Sequence, residues 1–155
     1  MFLSRYDNKL DRKGRVSVPA SYRAVLASQS FQGIVAYPSP VNRAIEACGF
    51  DHMKDVAEGI ARGFTPYSRE RRTFARSLLS KAHSLQFDAE GRVMLPKSLI
   101  EYADLTDMVT FAGMGDTFEL WDPAAYDALE DEIAADMAEQ APQLALPRQF
   151  GGGDA

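Results

Sequence analysis

Residues 10–19 read LDRKGRVSVP, and residues 87–96 read FDAEGRVMLP. The two segments share an aspartate, a glycine, an arginine and a proline at equal spacing, with alternating apolar residues before the proline. The shared Asp-x-x-Gly has the composition of a tight turn whose glycine can adopt positive φ. The arginine that follows can donate a charge-assisted hydrogen bond back to the aspartate across the turn. Each segment therefore predicts a strand, a tight turn and a second strand.

The similarity extends further, because each segment leads into a short helix and then a pair of apolar strands. In the first copy these are ASYRAVLAS, GIVAYP and AIEAC; in the second they are KSLIEYA, MVTFAG and TFELWD. The repeat thus covers about 45 residues. Hairpins of this size cannot bury an apolar face alone, so each copy needs a partner of like shape. The other copy in the same chain is the nearest such partner.

Between the copies, residues 50–82 predict two helices that are interrupted at residues 63–66. The second helix is basic, and Phe74, Leu78 and Leu79 are expected to form its buried stripe. Its cations are Arg69, Arg71, Arg72, Arg76 and Lys81. A solvated face and a contact with the acidic helix described next, within or between subunits, both explain this basic run, and both stay open.

The chain continues after Trp121 with DPAAYDALEDEIAADMAEQ, which predicts an acidic helix. Asp122 suits the N-cap position and Pro123 the first helical position. The apolar residues of this helix fall on one face: Tyr126, Leu129, Ile133 and Met137. Residues 141–155 have no periodicity and are expected to be disordered.

Charge is distributed unevenly along the chain, although the net charge is −5. Residues 1–97 hold 16 Lys and Arg against 9 Asp and Glu, whereas residues 98–155 hold one arginine against 13 acids. Because salt screens charge interactions beyond about 8–10 Å, the local balance matters more than the total. The first part can therefore face a polyanion, and the last part cannot.

Enzymatic and metal-binding functions are not expected. The only histidines, His52 and His83, belong to no recognisable catalytic constellation. His52 lies four residues after Cys48, but a structural zinc site needs four ligands and the chain has no other cysteine. Residues 113–115 (GMG) lack the third glycine of a dinucleotide-binding loop. We expect no cofactor, no metal and no small-molecule substrate.

A membrane location is not expected either, because no apolar run reaches the roughly 20 residues of a membrane-spanning helix. The first residues do not have the pattern of a signal peptide, and Cys48 has no second cysteine with which to form a disulfide. These features predict a cytoplasmic protein. Its aromatic residues are not interleaved with cations as in proteins that stack on single-stranded RNA, so RNA is a less favoured partner than DNA.

The quoted segments occur in an order that resembles a known family. The start MF, LDRKGRVSVPASYR, RERRTFARSLL, FDAEGRVMLP and FELWD together resemble the MraZ family over roughly residues 1–135. This is a bacterial family of tandem AbrB-like (SpoVT/AbrB) domains. The resemblance implies an α+β fold with a mainly β core, in which two swapped-hairpin halves form one pseudo-twofold β-barrel of the double-psi type, flanked by helices.

The resemblance also divides the chain into segments. It implies a first AbrB-like domain at residues 5–51, a helical connector at 52–79 and a second AbrB-like domain at 80–124. The acidic helix at 125–140 and the tail at 141–155 follow.

The function that the resemblance implies is transcription regulation. Members are cytoplasmic, nucleoid-associated proteins that assemble as ring-shaped homo-oligomers. They bind double-stranded DNA at the promoter of their own division and cell-wall gene cluster. The alternative is an assembly or antitoxin-like interaction module that does not bind DNA and whose charged turn is simply solvated.

The first turn is the expected DNA-binding element, because phosphates attract Lys and Arg on a projecting, rigid support. Arginine can also bind guanine through two hydrogen bonds in the major groove, which admits a two-stranded ribbon. The expected contacts are Arg12, Lys13 and Arg15, with Arg5 and Lys9 on the preceding strand as weaker candidates.

The second turn differs from the first, since Ala89 and Glu90 replace its two central cations. The residues common to both turns are expected to shape the hairpins; they are Asp11, Gly14, Asp88, Gly91 and Arg92. We therefore expect the DNA-binding face to be built from first-copy turns. The second-copy turns are expected to lie on a different face or to serve packing.

Overall fold

A computed structural model describes residues 1–140. Residues Met1–Pro123 form one compact unit, and the helix that follows belongs to a second. The expectation of disorder at residues 141–155 lies outside the described residues. The strands are β1 (Arg5–Lys9), β2 (Arg15–Ser17), β3 (Gly33–Pro38), β4 (Ile45–Cys48), β5 (His83–Gln86), β6 (Arg92–Met94), β7 (Met108–Gly113) and β8 (Phe118–Trp121). The α-helices are α1 (Ala20–Leu26), α2 (Phe50–Gly63), α3 (Arg69–Phe74), α4 (Lys97–Tyr102) and α5 (Pro123–Gln140). None of these helices combines the length and apolar character needed to cross a membrane.

The strands form an antiparallel six-stranded sheet in the order β1-β7-β8-β4-β3-β5 and a separate antiparallel ribbon of β2 and β6. The first strand of each copy pairs with the other copy: β1 pairs with β7, and β5 pairs with β3. The middle of the sheet joins the copies again through β4 and β8. This interleaving confirms the α+β class and the expectation that each copy is completed by the other.

The main core fills the space between the sheet, the ribbon and the short helices α1 and α4. Val16 and Val93 face each other in the ribbon and are 0% and 1% exposed. Full burial of such a side chain stabilises the fold by about 1.5–3 kcal/mol. Tyr22 of α1 is the centre of an aromatic group, with its ring 5.3 Å from Phe2 and 4.9 Å from Phe118. The ribbon is thus held by apolar contacts as well as by backbone hydrogen bonds.

A smaller core lies between β3, β4 and α2. Its buried members are Val35, Tyr37, Cys48 and Met53. Burial and then the charge of Glu46 raise the pKa of the Cys48 thiol to about 12. Such a thiol stays protonated at neutral pH, so Cys48 has a packing role. Among residues 1–140, no three His, Cys, Asp or Glu side chains are grouped in a way that could hold a metal ion.

The interruption predicted between the two connecting helices is confirmed, because α2 ends at Gly63 and α3 begins at Arg69. The hydroxyl of Ser68 caps α3 by accepting a hydrogen bond from the backbone N–H of Arg71 at 3.2 Å. After Phe74 the helix continues as a π-helical segment, Ala75–Leu79.

The buried stripe expected for this helix is correct for Leu78 and Leu79, which pack against the smaller core, and wrong for Phe74. Phe74 is 48% exposed and stacks on Phe64, with 5.4 Å between ring centroids. A π-helical turn holds an extra residue, so it rotates the residues that follow it relative to those before it. The regular spacing assumed from the sequence did not include that rotation.

Gly33 provides a test of how closely β3 and β5 approach. A Cβ atom at this position would press on the carbonyl oxygen of Leu85 and lie 2.9 Å from the Cα of Gln86. We expect Gly33→Ala to force β5 away and to lower the free energy of unfolding by about 1–3 kcal/mol. Gly59→Ala in α2 is the control, since nothing lies within 4 Å of its added Cβ. The free energy of unfolding of the control should rise by about 0.5–1 kcal/mol. Equal denaturation midpoints for the two variants would contradict the close approach of β3 and β5.

Candidate nucleic-acid interface

The first turn is closed by hydrogen bonds to one carboxylate. Asp11 accepts hydrogen bonds from the backbone N–H groups of Lys13 and Arg15, each at 2.9 Å, and from Nε of Arg15 at 2.7 Å. The backbone N–H of Gly14 donates to the carbonyl of Asp11 at 3.0 Å, and Gly14 has φ of +85°. The predicted hydrogen bond between Asp11 and Arg15 across the turn is confirmed. The turn is therefore a rigid support for the side chains that project from it.

The second turn has the same geometry. Asp88 accepts hydrogen bonds from the backbone N–H groups of Glu90 and Arg92 and from Nε of Arg92, all at 2.9 Å. Gly91 takes φ of +77°. These bonds lower the pKa of Asp11 and of Asp88, in each case first through the backbone N–H of the arginine that follows. The two copies thus differ in the charges they carry and not in how they fold.

The two turns are joined through β2 and β6. The carbonyl of Gly14 accepts a hydrogen bond from the backbone N–H of Leu95 at 2.8 Å. The carbonyl of Gly91 accepts one from Val18 at 3.2 Å. Because the strands are antiparallel, the two turns lie at opposite ends of the ribbon. Each glycine therefore anchors the other copy of the repeat.

The outward face of the ribbon carries two arginines. Arg15 lies opposite Met94, and Arg92 lies opposite Ser17. Directly opposed residues point to the same side, and alternate residues along a strand share a face. Val16 is buried on the inner side, so these four side chains face outward. Arg92 consequently shares a face of the ribbon with Arg15, which disagrees with the first of the two alternatives expected for the second-copy turn; the other alternative, a packing role, stays a prediction.

Charge distinguishes the two ends of this face. At the first end, Arg12 and Lys13 are exposed and make no ion pair within residues 1–140. At the second end, Glu90 lies 3.4 Å from the terminal Nη2 of Arg92, which Asp88 already holds at Nε. The first turn itself has three cations against one acid; the second turn has one cation against two acids, with Arg23 of α1 beside its Gly91. The first end is therefore the more basic of the two.

Lys97 is a further cation at the first end that the sequence analysis did not select. An open depression of about 620 Å³ is lined by Arg12, Lys13, Gly14, Met94, Leu95, Pro96, Lys97 and Ile100. The lysine begins α4, after Leu95 and Pro96 at the end of the second-copy strand that pairs with β2, and its Nζ lies 3.8 Å from the carboxylate of Glu101. The pairing of β2 with β6 was the signal needed to place Lys97 beside the first turn.

The structure does not bring Arg5 and Lys9 to the ribbon. Both lie on β1 at positions that alternate with Asn8, whose side-chain N–H donates to the carbonyl of Ser17 in β2 at 2.7 Å. Arg5 and Lys9 therefore point to the side of β1 that is turned away from β2. Arg5 also forms an ion pair with Asp7 at 3.3 Å. These two weaker candidates are separate from the cations of the first turn.

The carboxylates of both turns predict a pH dependence of stability. A carboxylate whose pKa is lowered by folding stabilises the fold above its ordinary value of 3.8, and this contribution is lost as the pH falls through the lowered pKa. We expect the combined variant Asp11→Asn, Asp88→Asn to melt at a lower temperature than the parent at pH 7. The difference should shrink on acidification below about pH 4. Asp116→Asn, at an exposed site outside both turns, is the control, and a difference that grows in acid would contradict the assignment.

Comparison with known proteins adds an independent line of evidence. A family model described as "MraZ protein, putative antitoxin-like" matches residues 78–148. The chain is 44% identical to a transcriptional regulator MraZ of Pelagibacter ubique over 127 residues, which are 82% of this chain and 81% of the relative. It is 49% identical to a protein of the same name from Rickettsia bellii over 124 residues, 79% of this chain and 82% of the relative. The chain belongs to the MraZ family.

Proposed function

We propose that the chain is a transcription regulator that binds double-stranded DNA with the first-copy end of the outward ribbon face. The observation that carries this proposal is the group of three cations, exposed Arg12 and Lys13 and half-buried Arg15, on a turn closed by Asp11. Phosphate contacts supply most of the affinity in such interfaces, and a rigid support reduces the entropy lost on binding. The similar proteins from Pelagibacter ubique and Rickettsia bellii are named transcriptional regulators.

Arg15 is the proposed base-reading residue. Its Nε is bound by Asp11, which fixes the plane of the guanidinium group and leaves the two terminal nitrogens directed away from that bond. A fixed arginine can present two N–H groups to a guanine edge in the major groove. Arg12 and Lys13 are assigned to phosphates on either side, and Lys97 extends the same basic surface.

The finer features follow from the family resemblance. We propose that the two interleaved halves close into a swapped-hairpin barrel of the double-psi type; the isolated bridge between Leu10 and Val16, which links the end of β1 to β2, supports this closure. The domains are then residues 5–51 and 80–124, with a connector at 52–79 and an acidic helix at 125–140. The protein acts in the cytoplasm at the nucleoid, as a ring-shaped homo-oligomer at the promoter of its own division and cell-wall gene cluster.

The second candidate function is an antitoxin-like or assembly module that does not bind DNA, which the wording of the matched family model favours. A scaffold of this kind has no reason to prefer one DNA fragment. Salt-dependent binding to the DNA upstream of the chain's own gene, compared with an unrelated fragment of equal length, separates the two candidates.

Replacement of Arg15 tests the base-reading role. We expect Arg15→Ala to remain folded and to weaken binding to the upstream fragment, because loss of a bidentate contact costs about 1–3 kcal/mol at each engaged site. Several subunits on one DNA would multiply this loss. Arg62→Ala, an exposed arginine on α2, is the matched control and should bind normally. A gel-shift titration measures both, and full affinity in folded Arg15→Ala would refute the role.

The two ends of the ribbon face are compared by a second set of variants. Neutralising Arg12 and Lys13 together should flatten the dependence of binding on salt by about two phosphate contacts per engaged subunit. Arg92→Ala should first lower thermal stability, because it removes the guanidinium hydrogen bond to Asp88, one of the three that close the second turn. If Arg92→Ala abolished DNA binding with stability unchanged, while the variant of Arg12 and Lys13 bound normally, the assignment of the two ends would be wrong.

A further inference from the structure

We propose that the exposed basic side of α3 and the π-helical segment binds the acidic helix α5 of a second copy of this chain. The inference rests on the homo-oligomer proposed above and names the contact that builds it. It concerns a surface outside the two turns.

The basic side of α3 and of the π-helical segment carries three exposed arginines. Arg69 and Arg72 have the spacing i and i+3, which places them on one side of α3, and Arg76 follows in the π-helical segment Ala75–Leu79. All three are exposed, and none forms an ion pair within the described part of the chain. A row of arginines without acidic partners can bind a matching row of carboxylates.

An apolar depression lies beside this row. It has a volume of about 460 Å³ and is lined by Pro66, Tyr67, Arg71, Arg72 and Ala75. Tyr67 is 88% exposed, and its backbone has φ of +67°, in the left-handed region that is costly for a tyrosine. The chain thus holds a large aromatic ring at the surface in a strained conformation, next to cations. A ring in this position is suited to contact with a partner.

Helix α5 carries the complementary pattern. Ile133 and Met137, spaced i and i+4, are 42% and 52% exposed. Glu132, Asp136 and Glu139 form a row beside them with the spacing i, i+4 and i+7, and all three are exposed. The acidic row of α5 extends over seven residues, about 10 Å at 1.5 Å per residue, and the arginines extend over the same number of residues. In the proposed contact, Ile133 and Met137 of α5 fill the apolar depression at Tyr67. The acidic row of α5 then lies against the arginines beside that depression.

A second copy fits these features better than DNA does. Phosphates could bind the arginines but would leave the depression at Tyr67 and Ala75 unfilled. Helix α5 supplies both the carboxylates and the apolar side chains. A contact between two different surfaces of identical chains is heterologous, and repetition of a heterologous contact closes into a ring when the rotation allows it.

Charge reversal provides the test. Wild-type protein is expected to be an oligomer by light scattering at micromolar concentration. The variant Arg72→Glu, Arg76→Glu should have the mass of a monomer, and so should Glu132→Arg, Asp136→Arg. The control Lys54→Glu, Arg62→Glu makes the same change of charge at exposed sites on α2 and should keep the wild-type mass.

Mixing shows which chain supplies the helix. In an equimolar mixture of the two reversed variants, each reversed surface meets a partner of opposite charge on the other variant, so oligomers should return. A chain that carries all four substitutions should also have the mass of the wild-type oligomer. Restoration in the four-substitution chain without restoration in the mixture would mean that the surface binds the helix of its own chain, and would overturn the proposal. Full oligomer mass in either reversed variant would overturn it as well.

Two further measurements distinguish loss of this contact from misfolding and from loss of DNA binding. Arg72→Gln, Arg76→Gln retains good helix-forming residues and should dissociate at lower salt than the parent does, which tests the contact if a reversed variant does not fold. Gel shifts on the same variants separate this inference from the proposed function. Loss of DNA binding at unchanged mass would assign the arginines to DNA and overturn the inference. A monomeric wild type that still binds DNA through Arg15 would overturn the ring and this contact while leaving DNA recognition intact.

Discussion

The hydrogen bonds between an aspartate and the arginine four residues later are the interaction on which the rest of the structure depends. Asp11 and Asp88 each close a turn through two backbone N–H groups and one guanidinium N–H. A closed turn directs the carbonyl of its glycine toward the strand of the other copy. The ribbon therefore forms with Val16 and Val93 facing inward, where they join the main core. The turns and the contact between the two halves therefore share the same hydrogen-bonded residues.

The same geometry leaves the two ends of the ribbon with different charge. Arg15 and Arg92 occupy equivalent places on one outward face, so their positions alone do not distinguish them. Their neighbours do, because Glu90 binds the terminal nitrogen of Arg92 and no acid does the same to Arg15 within residues 1–140. An arginine that already binds two carboxylates gains less binding free energy from contact with a phosphate or a base. A short change in turn sequence is thus enough to make one end more basic than the other.

Much of the fold could be predicted from the repeat, since the alternation in Phe118-Glu119-Leu120-Trp121 and the turn chemistry of Asp11 and Gly14 are local signals. The pairing of strands between the two copies was harder to predict from the sequence. Nothing in the composition of β1 or β6 says which strand it joins, and the position of Lys97 beside the first turn and the outward direction of Arg92 both depend on that pairing. Phe74 was misplaced for another reason, because a π-helical segment changes the periodicity without a distinctive sequence pattern.

The presence of both copies in one chain has a consequence for how such a surface can change. In a dimer of identical half-length chains, any substitution in the turn would appear at both ends of the ribbon, and a mutation that favoured DNA at one end would impose the same charge on the other. Covalent duplication removes this coupling. In a single chain, Arg12 and Lys13 can therefore occupy one end of the ribbon while Ala89 and Glu90 occupy the other. The two strands of the ribbon are paired symmetrically, and the charges at its two ends are not symmetric.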